Sequence, residues 1–393
     1  MRRPLRLPES VSPSGPVVVA AHEHPPLTEA AAEEHIAEVC CTAGPPQRCG
    51  VELEWLVHDQ FDAARPVTVG PRLAATSSVA SGRLTVEPGG QLEYSSMATD
   101  DLDGCVEATA RDMAQLRSAA AVSGVRLVGL GIDPYREPER MLDLPRYLAM
   151  EHGFDRDGPS GRWMMCSTAS VQVCVDAGDR GTGPSSVHRR WRLAHILGPI
   201  LAAAFANSPV ARSRPTGWAS TRQAVWSRLD RSRTAPVLAG NPVTAPADLA
   251  AAWARYALDA KVVCIRREEG QPWTAPPGLT FRSWIRAGGS RPTGEDLDYH
   301  LSTLFPPVRP RGYFELRMID AQRGDGWIVP LAVCSMLLDH PAAGDAAFQA
   351  AEKLWSRPGA DPWRRAARHA LADPDLAEAT AGCFAAVLGV LPP

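Results

Sequence analysis

The chain of 393 residues contains very little lysine and asparagine. Lys261 and Lys353 are the only lysines among its 41 basic residues, and Asn207 and Asn241 are its only asparagines. This bias, together with abundant arginine, alanine and proline, is typical of a GC-rich coding sequence. A phosphate-binding site in such a chain must rely on arginine, metal ions and backbone amides, so a P-loop lysine is not expected.

Further absences exclude whole classes of protein. The net charge is −3, so the chain lacks the basic surplus typical of nucleic-acid binding. It has no run of about 18–20 apolar residues, which argues against a membrane helix, and its N-terminal apolar stretch is too short and interrupted for a signal peptide. The nine cysteines are scattered without a CxxC pair, which predicts reduced thiols. These features indicate a cytoplasmic protein without a nucleic-acid or membrane partner.

The composition, with 45% hydrophobic and 22% charged residues, is that of a globular protein. Residues 1–27 are predicted to form a mobile tail, and residues 28–393 a single catalytic domain that is mainly helical from about residue 328. Strands and helices follow one another without a regular βαβ order, which predicts an α+β fold with an antiparallel sheet. The predicted strands are 50–59, two short strands within 83–96, 125–133, 164–176 and 313–320.

Two carboxylates occur close together in the first predicted strand. Glu52 and Glu54 are two residues apart, so their side chains project from the same face, and the apolar residues between and around them project from the other. Burying two like charges costs roughly several kcal/mol unless cations neutralise them. An edge strand with its polar face in water explains this pair equally well, so the segment alone leaves both interpretations open.

Two further segments favour a functional interpretation. The segment VEPGGQLEYS carries Glu87 and Glu93 around a glycine turn, and the strand YFELRMID carries Glu315 and Arg317 on one face. Carboxylates without histidine or cysteine partners suit hard cations such as Mg²⁺ or Mn²⁺. Because Mg²⁺ commonly bridges protein carboxylates and substrate phosphates, this pattern predicts an ATP-dependent enzyme in which Arg317 meets a phosphoryl group.

The same segments resemble the glutamate–cysteine ligase superfamily, which is related to glutamine synthetase. The resemblance runs in order over roughly residues 28 to 340 and is strongest to the actinobacterial branch that serves ergothioneine synthesis. It rests on the segments GVELEW, VEPGGQLEYS, MMCSTASVQVCVD, PTGWASTRQAVW, DRSRT and DLDYHLSTLFPPVRPRGYFELRMIDA. It implies a curved, mainly antiparallel sheet that forms a funnel-shaped active site, with helices packed outside.

The resemblance also implies roles for individual residues. Metal binding is implied for Glu52, Glu54 and Glu93, and closing of the site, with a catalytic role, for Glu315 and Arg317. Substrate binding is implied for Arg146, Tyr147, Met165, Gln172 and Arg222, with core packing as the alternative for Met165 and its neighbour Met164. Nucleotide binding is implied for Arg233, with helix capping as the alternative. Cys174 departs from the family, which usually has asparagine there, and so removes a strong polar contact.

The implied reaction joins L-glutamate and L-cysteine at the expense of ATP, with Mg²⁺ or Mn²⁺ as cofactor. The γ-carboxylate of glutamate is first phosphorylated, and the cysteine amine then displaces phosphate to give γ-glutamylcysteine. Two alternatives remain open: a ligase that uses another amine acceptor, and a catalytically silent homologue that binds glutamate or nucleotide. The sequence does not indicate the number of metal ions, the group that deprotonates the amine, or the oligomeric state.

Overall fold

The computed structural model describes most of the chain beyond its first 26 residues. The described residues are 27–40, 44, 46–67, 79–238, 248–268, 270–287, 291–356 and 361–391. The predicted tail over residues 1–27 therefore lies outside them, except for Leu27.

An antiparallel sheet forms the centre of the molecule. Its strands, among the described residues, are β1 (Cys49–Asp59), β2 (Arg83–Val86), β3 (Leu92–Ser95), β4 (Val125–Val128), β5 (Ser170–Asp176), β8 (Val308–Pro310) and β9 (Tyr313–Asp320). The order is β2-β3-β1-β5-β9-β8, with β4 also paired to β1, and all pairs are antiparallel. A separate small hairpin consists of β6 (Val210–Ala211) and β7 (Arg214–Pro215). The predicted α+β class with a mainly antiparallel sheet is thus confirmed.

Helices surround this sheet. In chain order they are α1 (Glu29–Cys40), α2 (Leu102–Val122), α3 (Pro145–Asp155), α4 (Ser160–Ser167), α5 (Val187–Ala204), α6 (Thr221–Trp226), α7 (Arg231–Thr234), α8 (Leu249–Asp259), α9 (Phe281–Arg286), α10 (Gly294–Leu301), α11 (Ile328–Asp339), α12 (Pro341–Trp355), α13 (Pro362–His369) and α14 (Pro374–Leu388). From Ile328 onward the described residues are mainly helical and form α11 to α14. None of the described helices is long and apolar enough to cross a membrane.

One face of the sheet is apolar and packs against helices. Val51, Leu53 and Trp55 of β1 project there and are almost completely buried. Helix α5 lies against β9, and the ring of its Trp191 is 5.5 Å from that of Phe314. Burial of this face is the main stabilising contribution that the sheet offers. The opposite face is therefore left to the polar residues that alternate with these apolar ones.

Two secondary-structure predictions were partly wrong. The strand predicted over 125–133 ends at Val128, and only an isolated bridge between Ile132 and Thr168 follows it. The strand predicted over 164–176 begins only at Ser170, because the residues before it form α4, and both of its faces are buried. A short run of apolar and small residues fits either element by periodicity, so the sequence did not distinguish them.

Candidate active site

The strand register places the predicted acidic residues on the polar face of the sheet. Glu54 lies opposite Glu93, and Glu52 lies opposite Gln172. Directly opposed residues of antiparallel strands project from the same face. A continuous row of polar side chains therefore crosses β3, β1 and β5.

The row continues across β9 to β8. Cys174 lies opposite Glu315, and Glu315 lies opposite Arg309. The register between β5 and β9 shifts near Val173, so that β9 has one more residue than β5 at this point. Such a bulge redirects side chains locally. Here Arg317 reaches across to β5.

Gln172 connects the acids of β1 with the arginine of β9. Its amide nitrogen Nε2 donates a hydrogen bond of 2.9 Å to Oε1 of Glu54. Its amide oxygen accepts a hydrogen bond from Nη1 of Arg317, which also contacts Glu315. The Arg317 guanidinium lies 5.7 Å from the centre of the Phe305 ring. These contacts hold Arg317 close to the carboxylates.

Glu315 is fixed as a charged group by two arginines. Arg309 donates from Nε and Nη2 to the two carboxylate oxygens of Glu315, at 2.7 and 2.8 Å. Burial alone would raise the pKa of Glu315, but Arg309 and Arg317 outweigh this effect and lower it to about 2. Glu315 is therefore ionised at neutral pH and anchors Arg317.

A fifth acid, Glu87, joins the row from the turn between β2 and β3. The turn is tight because the amide of Glu87 donates to the carbonyl of Gln91 at 2.8 Å, and the Gly90 amide donates back to the Glu87 carbonyl at 2.7 Å. The Gln91 side chain then donates to the carbonyl oxygens of Met165 and Thr168, which ties the turn to α4. The position of Glu87 is thus set by packing between a hairpin and a helix.

Burial and mutual repulsion disfavour the ionised forms of three of these acids. Burial, followed in size by repulsion from Glu315, raises the pKa of Glu52 to about 7. Burial, followed in size by repulsion from Glu54, raises the pKa of Glu87 to about 7. Burial, followed in size by repulsion from Glu52, raises the pKa of Glu93 well above its usual value. Carboxylates in this state are stabilised by a cation.

The donor chemistry of this row fits a hard divalent cation, since all of its acidic groups offer carboxylate oxygens. In the part of the chain that the structure describes, no three His, Cys, Asp or Glu side chains already converge as a metal-binding group. The metal ligands predicted from the sequence are therefore brought onto one face, and their role in metal binding stays a prediction.

Arginine and aromatic side chains border the Glu54 end of the row. Arg222 is 2% exposed and donates from Nη2 to the carbonyl oxygen of Arg317 at 2.9 Å, and its Nη1 has no hydrogen-bond partner. Arg146 donates to the hydroxyl and the carbonyl of Ser302, both at 3.0 Å. Burial, followed in size by the negative charge of Glu87, raises the pKa of Tyr147. Its hydroxyl is therefore neutral and can donate a hydrogen bond. This end can bind carboxylates.

The two methionines and Arg233 have largely structural contacts. Met164 and Met165 are buried in the apolar cluster that packs beside Tyr147. Arg233 is fully buried and donates to the carbonyl oxygen of Thr303 at 2.6 Å and to that of Lys261. The structure does not bring Arg233 onto the row of acids, so its contact with nucleotide stays a prediction.

A small open cavity borders the Glu52 end of the row. It is lined by Gly50, Glu52, Ser95, Cys174, Asp176 and Tyr313, among other residues. Cys174 therefore faces the cavity. Burial, followed in size by the negative charge of Glu52, raises the pKa of its thiol well above the usual value. The nearby guanidinium groups of Arg309 and Arg311 act on the Glu52 carboxylate and favour its charged form.

Sequence reasoning did not assign a role to Arg309, Arg311 or Tyr313. Arg309 and Arg311 lie in the segment PVRPRG, which reads as a proline-rich turn but contains β8. The signal that could have identified them is their spacing from Glu315 across a two-residue turn, which predicts a hairpin partner. Glu87 was recognised as an acid of the turn, but not as a member of the site.

Comparisons with known proteins show the family of the chain. A family model described as glutamate–cysteine ligase family 2 matches residues 48–391. The chain is 40% identical to the glutamate–cysteine ligases EgtA of Mycobacterium tuberculosis and Mycolicibacterium smegmatis, over 90% of this chain and 82% of each relative. It is 30% identical to the chloroplastic glutamate–cysteine ligase of Brassica juncea, over 60% of this chain and 46% of that protein.

A solved structure shares the fold at low sequence identity. It is a glutamate–cysteine ligase from Francisella tularensis in complex with AMP, with a TM-score of 0.50 and 11% identity. The match covers 88% of this chain and 78% of that one. This likeness supports the arrangement of sheet and helices described above.

Proposed function

The chain belongs to glutamate–cysteine ligase family 2, and we propose on this basis that it uses ATP to join the γ-carboxylate of L-glutamate to the amine of L-cysteine. The products are γ-glutamylcysteine, ADP and phosphate, and the dipeptide serves ergothioneine synthesis. We place the reaction in the cytoplasm, where ATP and reduced cysteine are present.

The observation that supports this chemistry is the row of carboxylates beside the guanidinium of Arg317, which its neighbours hold in place. A carboxylate is a poor acyl donor, so the γ-carboxylate must first receive the terminal phosphoryl group of ATP. Two anions must approach each other in that step, and positive charge is needed between them. Arg317 supplies one such charge and is held by Glu315 and Gln172.

Glu52, Glu54 and Glu93 would hold Mg²⁺ or Mn²⁺, and Glu87 lies next to them. When bound, the cation neutralises the triphosphate and the γ-carboxylate as they approach. The raised pKa values of Glu52 and Glu93 support this assignment, because a bound cation offsets the burial and the repulsion that raise them. Arg317 then stabilises the charge of the phosphoryl group in transfer and of the phosphate that leaves.

The nucleotide would bind at the Glu52 end of the row, beside the small cavity there. This cavity adjoins the acids, and Arg309 and Arg311 supply positive charge near Glu52. Arg233 is a less suitable contact, since its guanidinium is fully buried among backbone carbonyls.

The amino acids would bind at the Glu54 end. The guanidinium groups of Arg222 and Arg146 suit the α-carboxylates of the two substrates; Nη1 of Arg222 makes no hydrogen bond and lies 3.9 Å from Oδ1 of Asp320. The hydroxyl of Tyr147 supplies a neutral donor beside them, and Met165 contributes to the apolar wall. Nucleotide and amino acids then meet over the row from opposite ends, which places the γ-phosphoryl group beside the γ-carboxylate.

A coupled assay of ADP release tests the proposal. We expect release to require glutamate and to be fastest when cysteine is the amine. Another amine that exceeds cysteine tenfold, a difference of about 1.4 kcal/mol in transition-state binding, would contradict the acceptor and leave the reaction class intact. Calorimetric binding of Mg-ATP and glutamate without ADP release for any amine would instead identify a silent homologue.

A further inference from the structure

The side chain of Gln172 is held between two groups of opposite charge. It is 1% exposed, its Nε2 donates to Glu54, and its amide oxygen accepts from Arg317. An amide has a donor end and an acceptor end, so only one orientation of the Gln172 amide satisfies both partners. The orientation of this group is therefore determined by its neighbours.

Because the side chain is 1% exposed and each end of its amide already has a partner, Gln172 has little capacity to bind a ligand directly. Its amide oxygen, the only atom that could coordinate a cation, already accepts from the Arg317 guanidinium. Its nitrogen is a donor directed at Glu54, so it cannot coordinate a cation either. The contacts of Gln172 are with residues that do the binding.

Gln172 is also a direct side-chain link between two parts of the active site. Glu54 lies on β1 and Arg317 on β9, and β5, which carries Gln172, separates them in the sheet. Without the amide, the Glu54 carboxylate loses a hydrogen bond of 2.9 Å, and Arg317 retains only Glu315 as its side-chain hydrogen-bond partner among the described residues. The bulge in the β5–β9 pairing allows the reach of Arg317 to Gln172.

We propose that Gln172 is a positioning residue, which orients Glu54 for the metal ion and Arg317 for the phosphoryl group at the same time. This inference rests on the proposed function of Glu54 and Arg317, and it replaces the substrate contact that the family resemblance implies for Gln172. It predicts that one substitution at Gln172 alters metal affinity and turnover together, while the affinity for the amino acids is unchanged.

The test begins with Mn²⁺ binding to the purified protein, which needs no turnover. Gln172→Met keeps the length of the side chain and removes both hydrogen bonds. We expect its Mn²⁺ dissociation constant, measured by calorimetry or electron paramagnetic resonance, to rise ~10–100-fold, the usual effect of losing a residue that orients a metal ligand. Gln172→Asn keeps the amide but is one methylene shorter, and should give an intermediate value.

Steady-state kinetics provide the second readout. For Gln172→Met we expect kcat at saturating Mg²⁺ to fall, with KM for glutamate and for cysteine within about twofold of the wild type. Because Gln172 acts on turnover through Arg317, its effect on kcat should be much smaller in an Arg317→Lys background than in the wild type. Additive effects would contradict the link to Arg317.

Gln322→Met is a matched control. Gln322 lies just after β9, and its Nε2 donates to the carbonyl oxygens of Phe205 and Asp320, each at 2.9 Å, away from the row of acids. The substitution therefore removes an amide and its hydrogen bonds by the same chemical change. We expect a lower melting temperature with wild-type Mn²⁺ affinity.

The failures are distinguishable. Wild-type Mn²⁺ affinity in Gln172→Met, combined with a raised KM for glutamate or cysteine, overturns the positioning role and restores the substrate contact. Tighter binding or no change in both quantities overturns it as well. A wild-type protein that binds no Mn²⁺ overturns the proposed metal site together with this inference.

Discussion

At the scale of single residues, the site places two neighbouring carboxylates in opposite electrostatic states. Glu315 is paired with Arg309 and has its pKa lowered to about 2, whereas Glu52 is half-buried near Glu315 and has its pKa raised to about 7. The difference arises from the arginines, which contact Glu315 directly and act on Glu52 only from a distance. Glu315 is thereby kept charged by its arginines, whereas the charged form of Glu52 would be stabilised by a bound cation.

The state of Glu52 predicts a pH-dependent stability of the metal-free protein. A folded-state pKa near 7, against an ordinary value of 4.5, means that the folded state holds this proton more tightly than the unfolded one. Stability is therefore lost as the pH rises from about 4.5 through 7, by at most about 3 kcal/mol. We expect Glu52→Gln to melt at a higher temperature than the wild type at pH 8, and the difference to shrink towards pH 5.

Calorimetric melting in the presence of a chelator measures this difference. Glu34→Gln, at a solvent-exposed glutamate of α1, is the control and should follow the wild type at both pH values. A Glu52→Gln variant that is equally destabilised at pH 5 and pH 8 would show that Glu52 is held by favourable contacts rather than by repulsion.

At the scale of structural elements, the β2–β3 hairpin determines where two of the acids lie. Its turn packs so closely on α4 that a Cβ atom at Gly89 would lie 2.1 Å from the carbonyl oxygen of Cys166. Backbone atoms cannot yield at this distance, so Gly89→Ala must move the hairpin away from the helix. We expect a loss of stability of about 1–3 kcal/mol and weaker Mn²⁺ binding, because Glu87 and Glu93 move with the hairpin.

The control for this substitution is Gly294→Ala at the start of α10, where a Cβ atom meets no heavy atom within 4 Å. It should leave Mn²⁺ binding unchanged. If Gly89→Ala lowers the melting temperature but binds Mn²⁺ like the wild type, the hairpin is only structural, and the metal must be held by the acids of β1.

The strands that carry the acids were predictable, whereas their pairing was not. Alternation of apolar and polar residues identified β1, β3 and β9 and the face on which Glu52, Glu93 and Glu315 lie. The order of the strands depends on long-range contacts that no local pattern records. The link from Gln172 to Arg317 depends in addition on a bulge, whose position is set by tertiary packing.

Arg309 shows a second limit of sequence reasoning. Prolines on both sides of it suggested a turn, because proline is rare inside strands. The structure places it in β8, at the end of the sheet order, where proline is tolerated. The residue that keeps Glu315 charged was therefore hidden in a segment predicted to have no regular structure.

At the scale of the whole molecule, the sheet separates stability from chemistry. Helices such as α5 and α11 cover its apolar face, and the polar face carries the acids and arginines. The cavity at the Glu52 end and the arginines at the Glu54 end lie on either side of the row. We propose that residues 28–393 act as one catalytic domain, because residues of β1, β3, β5 and β9, far apart in the chain, all contribute to this face.

The central claim is that this face transfers a phosphoryl group to the γ-carboxylate of glutamate. The most direct measurement uses glutamate labelled with ¹⁸O in that carboxylate, together with ATP and cysteine. Transfer forms a bond between the γ-phosphorus and a carboxylate oxygen, and attack by the amine then breaks the bond between that oxygen and the acyl carbon. The account predicts that each phosphate released carries one ¹⁸O atom, and phosphate without label, formed as γ-glutamylcysteine accumulates, would contradict it.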